Sequence, residues 1–198
     1  HLIILPGVPR EMKPMMEETV LPWLREMRST GDVFLTRTFQ TFGISESGLD
    51  ELVAGTVSED EGRLAFRASF PQISMRVTVR GRANDVEAKL EELSHRIRAK
   101  IGTFVYGEGD VTMEEVVGTL LKDKGKTLSF AEAVSGGLVT HRLTNVPGSS
   151  AYFQGTVIAY ADAAKINLLG VKPETLRQHG AVSEETVREM AAGVRERM

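Results

Sequence analysis

The chain has 198 residues, 41% of them hydrophobic, with 24 Lys and Arg against 27 Asp and Glu and no cysteine. At about 150 residues per domain this means one large domain or two small ones, with enough apolar surface for real cores. The formal charge of −3 offers no electrostatic reason to expect a nucleic-acid partner, and zero cysteines exclude disulfides, thiolate metal sites and a cysteine nucleophile.

No apolar run nears the roughly 18 residues of a membrane-spanning helix, so no membrane partner is expected, and the expected compartment is cytoplasmic. The chain opens on the apolar run His1-Leu2-Ile3-Ile4-Leu5, without an initiator methionine or signal peptide. It closes on Val194-Arg195-Glu196-Arg197-Met198, inside a helical pattern with no stop signal. Both ends read as cut, and the chain is expected to be an internal fragment of a longer polypeptide.

In chain order, Leu2–Leu5 predicts a short buried strand, and Pro6-Gly7-Val8-Pro9 turns it into a helix starting near Pro9, a residue suited to the first helical position. Met12, Met15, Met16 and Val20 continue that helix, and the polar run 28–32 predicts a linker. Val33–Phe42 is strand-like, and Ser45 or Ser47 can cap a helix to about Val57, with Leu49, Leu52 and Val53 facing inward. Arg63–Ser69 and Ile73–Arg80 predict two strands, the second alternating cleanly between apolar and polar. Val86, Leu90, Leu93, Ile97 and Ile101 trace one face of a long helix, and Thr103–Tyr106 reads as a last strand. The order β-α-β-β-α-β predicts a small α+β module with a helix-backed sheet.

From Thr112, a capping box with Glu115 predicts a helix with Val116, Val117, Leu120 and Leu121 inward. A strand (Thr127–Ala131), a glycine turn, a helix (Ser135–Leu143) and a second strand (Thr156–Tyr160) follow. Helices around Ala163–Leu169, around Pro173–Gln178 and from Ser183 complete an α/β alternation, with His179-Gly180 as a helix end and its glycine cap.

Chemistry concentrates at two places. Ser129-Phe130-Ala131-Glu132-Ala133-Val134-Ser135-Gly136-Gly137 is a strand, a small-residue turn and a helix start, a geometry that suits a phosphate or a developing oxyanion but serves tight packing equally well. Tyr160 and Lys165 sit five positions apart where a strand meets a helix, the end at which open α/β sheets hold ligands. The alternative there is a solvated lysine beside a half-buried tyrosine. Val146-Pro147-Gly148-Ser149-Ser150 is a turn with two hydroxyls. The four histidines show no metal spacing, and His95 lies on a charged helix face.

Leu5-Pro6-Gly7-Val8-Pro9-Arg10-Glu11-Met12, the turn at 131–137, Val146-Pro147-Gly148-Ser149-Ser150, Ala159-Tyr160 with Lys165, and Leu168-Leu169-Gly170-Val171 followed by His179-Gly180-Ala181-Val182-Ser183 stand in an order that resembles the competence/damage-inducible protein CinA family. The resemblance implies a multidomain α/β and α+β chain. Residues 1–31 would be the end of a molybdopterin-binding-like α/β domain, 32–107 a small KH-like domain, and 108–198 the first half of an α/β amidase domain.

It further implies pyridine-nucleotide recycling, with amide hydrolysis of nicotinamide mononucleotide at the C-terminal domain and ADP-ribose hydrolysis at the N-terminal one. Implied partners are a nicotinamide nucleotide or ADP-ribose type small molecule and a second copy of the chain in a homodimer, with no nucleic acid and no membrane. No cofactor is implied for the fragment, and a divalent metal only for the N-terminal domain of the full protein. Carried over residue by residue, Lys165 and Tyr160 match the family's activating residues, and Glu132, Gly136, Gly137, Ser149, Arg10 and Glu11 are the candidate substrate contacts.

The family's turn usually reads Ala-Glu-Ser-Cys-Thr-Gly-Gly, so Ala133 here occupies the position of the nucleophilic serine. Ser135 matches the family's threonine and is a poor substitute two residues away. The activity is therefore either retained around Lys165 and Tyr160 or degenerate, leaving a nucleotide-binding, regulatory or dimerisation module. The middle domain lacks the Gly-x-x-Gly clamp of RNA-binding KH modules and is expected to be a spacer or dimerisation element.

Overall fold

The computed structural model describes residues 2–27 and 31–198, which form two compact units, 1–105 and 106–198. The expected linker therefore lies mostly outside the described residues, and Asp32 already belongs to a strand.

The expected strand at Leu2–Leu5 is absent: these residues carry no regular structure, and Leu2 and Ile4 are exposed. A strand needs a neighbour to take its backbone hydrogen bonds, and none of the described strands pairs with this run. The helix does begin at Pro9. It runs as α1 (Pro9–Met15), a π-helical turn (Met16–Val20) and α2 (Leu21–Glu26).

The rest of the first unit follows the β-α-β-β-α-β order. β1 (Asp32–Phe42), β2 (Arg63–Ser69), β3 (Gln72–Arg82) and β4 (Val105–Glu108) form one sheet in the order β2-β3-β1-β4, with β1 and β2 both antiparallel to β3. α3 (Glu46–Val53) and α4 (Val86–Ile101) supply its helices. The alternation of β3 buries Ile73, Met75, Val77 and Val79, and the α4 stripe from Val86 to Ile101 is buried at every expected position. Residues of both elements join one core with Phe39 and Leu49.

Two boundaries differ from the sequence reading. α3 stops at Val53 rather than 57, because Ala54 leaves the helical region and Gly55 follows at φ 69°. Leu52 accordingly faces solvent. The segment before β4 is a 3-10 turn (Gly102–Phe104), so the strand starts at Val105.

A polar clasp closes the loop between α3 and β2. The Glu61 carboxylate accepts from the Ser58 N–H (3.0 Å) and hydroxyl (2.8 Å) and from Arg96 (2.8 and 2.9 Å), and Arg96 also donates to the Thr56 carbonyl. The Arg96 hydrogen bonds, with those from Ser58, hold the Glu61 carboxyl at about 2.

The second unit begins with α5 (Met113–Asp123), closed by the Thr112/Glu115 capping box. Its buried residue is Gly118, not the expected apolar face: Val117 and Leu120 are exposed, while Val116 and Leu121 are half-buried. The reason is contact with Tyr152, whose ring is fully buried and whose Cζ would lie 2.8 Å from a Cβ at position 118. β5 (Leu128–Glu132) and β6 (Phe153–Ile158) pair in parallel, joined through α6 (Leu138–Thr144) and a 3-10 turn (Ser149–Ala151). α7 (Asp162–Leu169), α8 (Pro173–His179) and α9 (Glu184–Arg197) follow. Ala159, Leu169, Val171, Met190 and Val194 form the buried core.

Ser183 caps α9 by accepting from the Thr186 N–H at 3.2 Å, and Gly180 ends α8 at φ 82°, as expected. No helix among the described residues is long and apolar enough to cross a membrane.

Candidate functional site

β5 and β6 run side by side in the same direction, with Glu132 opposite Ile158 and the Ala159 N–H donating to the Glu132 carbonyl at 2.8 Å. The parallel register brings the turn at 133–137 and the link at 159–162 to the same C-terminal edge, where ligands of parallel sheets bind. Glu132, Ala133, Ser135, Gly136 and Gly137 on one strand exit, and Tyr160 and Lys165 on the other, thus share one end of the sheet.

The turn differs from the expected helix start. Gly136 and Gly137 adopt φ of 60° and 95°, left-handed backbone that a right-handed helix excludes, so α6 begins at Leu138 instead of Ser135. Ser135 does not cap the helix; its hydroxyl donates to Glu132 Oε2 at 2.7 Å. The Glu132 carboxylate does the capping from inside. It accepts from the N–H groups of Gly137 (3.1 Å), Val139 (3.3 Å) and Thr140 (2.9 Å) and from the Thr140 hydroxyl.

The chain's own carboxylate thus takes the N–H groups of Gly137, Val139 and Thr140, which gives Glu132 a holding role at 4% exposure. Burial pushes the Glu132 carboxyl up, but hydrogen bonds from Thr140, Ser135 and the backbone outweigh it and hold the group at about 2. A carboxylate held so low is a weak base, so Ser135 gains little nucleophilicity from this partner.

Lys165 and Tyr160 reverse the alternative of a solvated lysine beside a half-buried ring. Lys165 is 3% exposed, and the Tyr160 phenol is 75% exposed. Lys165 Nζ donates to the backbone carbonyl of Tyr160 at 2.6 Å and lies 3.4 Å from Asp162 Oδ1. The expected second strand ends before Tyr160, because the ladder runs from Phe153 to Ile158 and leaves 159–162 to turn into α7. Ala133, half-buried, presents a methyl group and packs against the core that contains Ala159 and Leu169.

Two participants escaped the sequence reading. Thr140 shares the Glu132 carboxylate, and no local spacing rule announces a contact eight residues back. Asp162 faces Lys165 three positions on, a helical i,i+3 pair that the sequence does carry. Ser149 stands elsewhere, in the 3-10 turn before Tyr152, whose carbonyl accepts from the Leu128 N–H at the opposite, N-terminal edge of the strand pair. Arg10 and Glu11 lie in the other unit, exposed on the first turn of α1. Among the described residues no group of three or more His, Asp or Glu is arranged to hold a metal ion.

Comparison with known families separates the same two regions. The model for the damage-inducible protein CinA KH domain matches residues 36–107, and the model for the CinA C-terminal domain matches 110–198. The chain belongs to the CinA family.

A Halothermothrix orenii relative named as a competence-damage inducible protein is 40% identical over 198 residues, 100% of this chain and 48% of the relative. One from Clostridium perfringens strain SM101 is 42% identical over 195 residues, 98% of this chain and 47% of that protein. A CinA-like protein of Salinibacter ruber is 41% identical over 198 residues, covering 98% and 48%. The chain spans about half the length of these curated CinA relatives. Among solved structures, the competence/damage inducible protein CihA from Agrobacterium tumefaciens is 38% identical with a TM-score of 0.42, covering 42% of this chain and 51% of that one.

Proposed function

We propose that the 106–198 unit is a nicotinamide-nucleotide pocket of a CinA protein that has kept its binding architecture and lost its amidase nucleophile. The observation that carries this reading is the pairing of a methyl group at 133 with a buried, doubly held Lys165 at the same sheet edge. A lysine with no remaining task would be free to move into water, which its charge favours. Loss of a serine nucleophile costs on the order of a millionfold in kcat where it has been measured, and the neighbouring Ser135 hydroxyl is committed to Glu132. In the full-length protein, hydrolysis of ADP-ribose type molecules then falls to the other end of the polypeptide, and this unit senses or retains the nucleotide.

Two measurements on the chain test the reading. Titration calorimetry with nicotinamide mononucleotide is expected to give heat, and an ammonia-release assay none. Ala133→Ser is expected to gain ammonia release that Lys165→Ala then removes. Ammonia released by the wild-type chain and lost in Lys165→Ala replaces this reading with an active amidase. No heat at millimolar nucleotide sinks the pocket altogether.

A further inference from the structure

The side of the β2-β3-β1-β4 sheet away from its buried core has an unusual charge distribution. Side chains alternate along a strand, and the odd-numbered residues of β3 are the buried ones, so the even-numbered ones point the other way. The register carries that parity across the sheet. Phe34 stands opposite Arg80, Thr38 opposite Arg76 and Asp32 opposite Arg82. Arg63 stands opposite Thr78, and Arg67 opposite Ser74. One face of β1–β3 thus collects Arg63, Arg67, Arg76, Arg80 and Arg82, all exposed, with Asp32 as the one acid on these three strands that shares it, while on β4 Val105 packs into the core and the alternation sends Glu108 to the same side. Arg80 pairs with Asp32 at 3.0 Å, and the other four arginines have no acid partner among the described residues.

The same face exposes aromatic rings on its central strand. Phe34 is 63% and Phe42 48% exposed, and the Arg80 guanidinium sits 5.8 Å from the centroid of the Phe34 ring. At the Arg80 end a cleft of about 710 Å³ opens, lined by Phe34, Arg63 and Arg80 and by Glu59, Asp60 and Glu61, the last of which is paired with Arg96.

We propose that this sheet face binds a single-stranded polynucleotide, with phosphates on the arginines and bases stacked on Phe34 and Phe42. Charge complementarity picks a polyanion: four unpaired guanidiniums on a flat face form the electrostatic footprint of phosphate binding. The two rings then distinguish a nucleic acid from an acidic protein segment, because bases stack on exposed aromatics and carboxylates do not. They also select a single strand, since a duplex hides the base faces. The central strands β1 and β3 carry both rings and three of the arginines, the layout by which an open four-stranded sheet stacks unpaired bases.

The net charge of −3 conceals this face because it sums over both sides of the sheet; Glu91, for instance, pairs with Arg37 and Arg98 away from it. The mode also differs from the Gly-x-x-Gly clamp that the sequence lacks, and the expectation of a spacer or dimerisation element does not cover it.

The test uses the whole 198-residue chain and a fluorescent oligothymidylate of about 12 nucleotides, within the usual footprint of such surfaces. Anisotropy is expected to show binding that weakens with salt, with a log–log slope of about −3 for four to five phosphate contacts. Arg76→Gln with Arg82→Gln flattens that slope by about 0.7 per arginine. Phe34→Ala weakens binding about tenfold at fixed salt and leaves the slope unchanged. Lys100→Gln, the same charge change on the exposed side of α4, leaves both unchanged. All these side chains are exposed, and an unaltered melting curve confirms that each variant folds. The proposal is overturned by no binding at about 100 μM chain in low salt, by equal binding of polyglutamate, by tighter binding of a duplex of the same length, or by an unaffected Phe34→Ala.

Discussion

Glu61 and Glu132 both hold a loop by accepting several hydrogen bonds, and both carboxyls sit at about 2, yet they do so in units of opposite design. Glu61 works at the surface of a unit whose twelve-residue core already fixes the sheet against its helices. Glu132 works at 4% exposure in a unit whose buried core cluster has five residues, four of them on α7, on α9 or just beyond α7. The first unit is held by apolar packing and decorated with polar clasps. The second relies on buried polar bonds and close backbone approach, which are intolerant of small changes. The same acidity therefore means different things in the two places.

The sharpest way to break the second unit is Gly193→Ala. A Cβ there would collide with the Leu169 carbonyl oxygen and lie 2.6 Å from its carbonyl carbon, so backbone rather than a flexible tip must move. We expect a loss of about 4 kcal/mol or more, with amide exchange accelerating throughout 106–198 while 32–105 keeps its protection. Uniform loss across both units would show that they do not fold separately. In the first unit the largest single effect comes from packing instead. Leu93→Ala, at 1% exposure on α4, is expected to cost 2–5 kcal/mol in denaturant unfolding, and a loss under about 1 kcal/mol would show that its core collapses around the cavity.

Next in size is Glu132→Gln. The amide keeps one acceptor but turns two donors toward N–H groups of Gly137 and Val139 that need an acceptor. About 2–3 kcal/mol of stability should be lost, read from the near-ultraviolet signal of Tyr152, fully buried in the same unit. The pH dependence has the same origin. A carboxyl lowered from 4.5 to about 2 contributes its full stabilisation above 4.5 and loses it as the pH falls from there to 2. All three tyrosines lie in the second unit, so their signal should titrate in this window in wild type and flatten in Glu132→Gln. A transition in the variant unchanged from wild type would assign the acid sensitivity to another group.

Periodicity made the first unit almost fully readable, because burial there follows the strand and helix repeats: Ile73 to Val79 and Val86 to Ile101 are buried as their spacing predicts. Leu2–Leu5 misled because an apolar run is strand-like only where a partner strand exists. The turn at 133–137 was located correctly as a strand-to-helix junction but not in its wiring. Glu132 precedes the helix by six residues, and nothing local says whether its carboxylate turns inward to the helix or outward to a ligand. Lys165 was equally undecided, since its burial depends on the tertiary position of the Tyr160 carbonyl. The arginine face stayed hidden for a different reason: a whole-chain charge sums over both sides of a sheet that separates them.

Arg96→Gln carries the smallest expected effect and tests the comparison from the other side. The guanidinium is the leading cause of the low Glu61 carboxyl and ties the loop through Thr56 as well. If apolar packing holds this unit, removing the clasp leaves the melting midpoint of 32–105 nearly unmoved, because solvent-screened pairs contribute little. What changes is local. The Ser58 N–H, which donates to Glu61, loses an acceptor fixed in place, and its amide exchange should quicken while Met75 and Val77 in β3 keep theirs. A marked fall in the midpoint would show that the clasp supports the core as Glu132 supports its turn, and would erase the distinction between the two units.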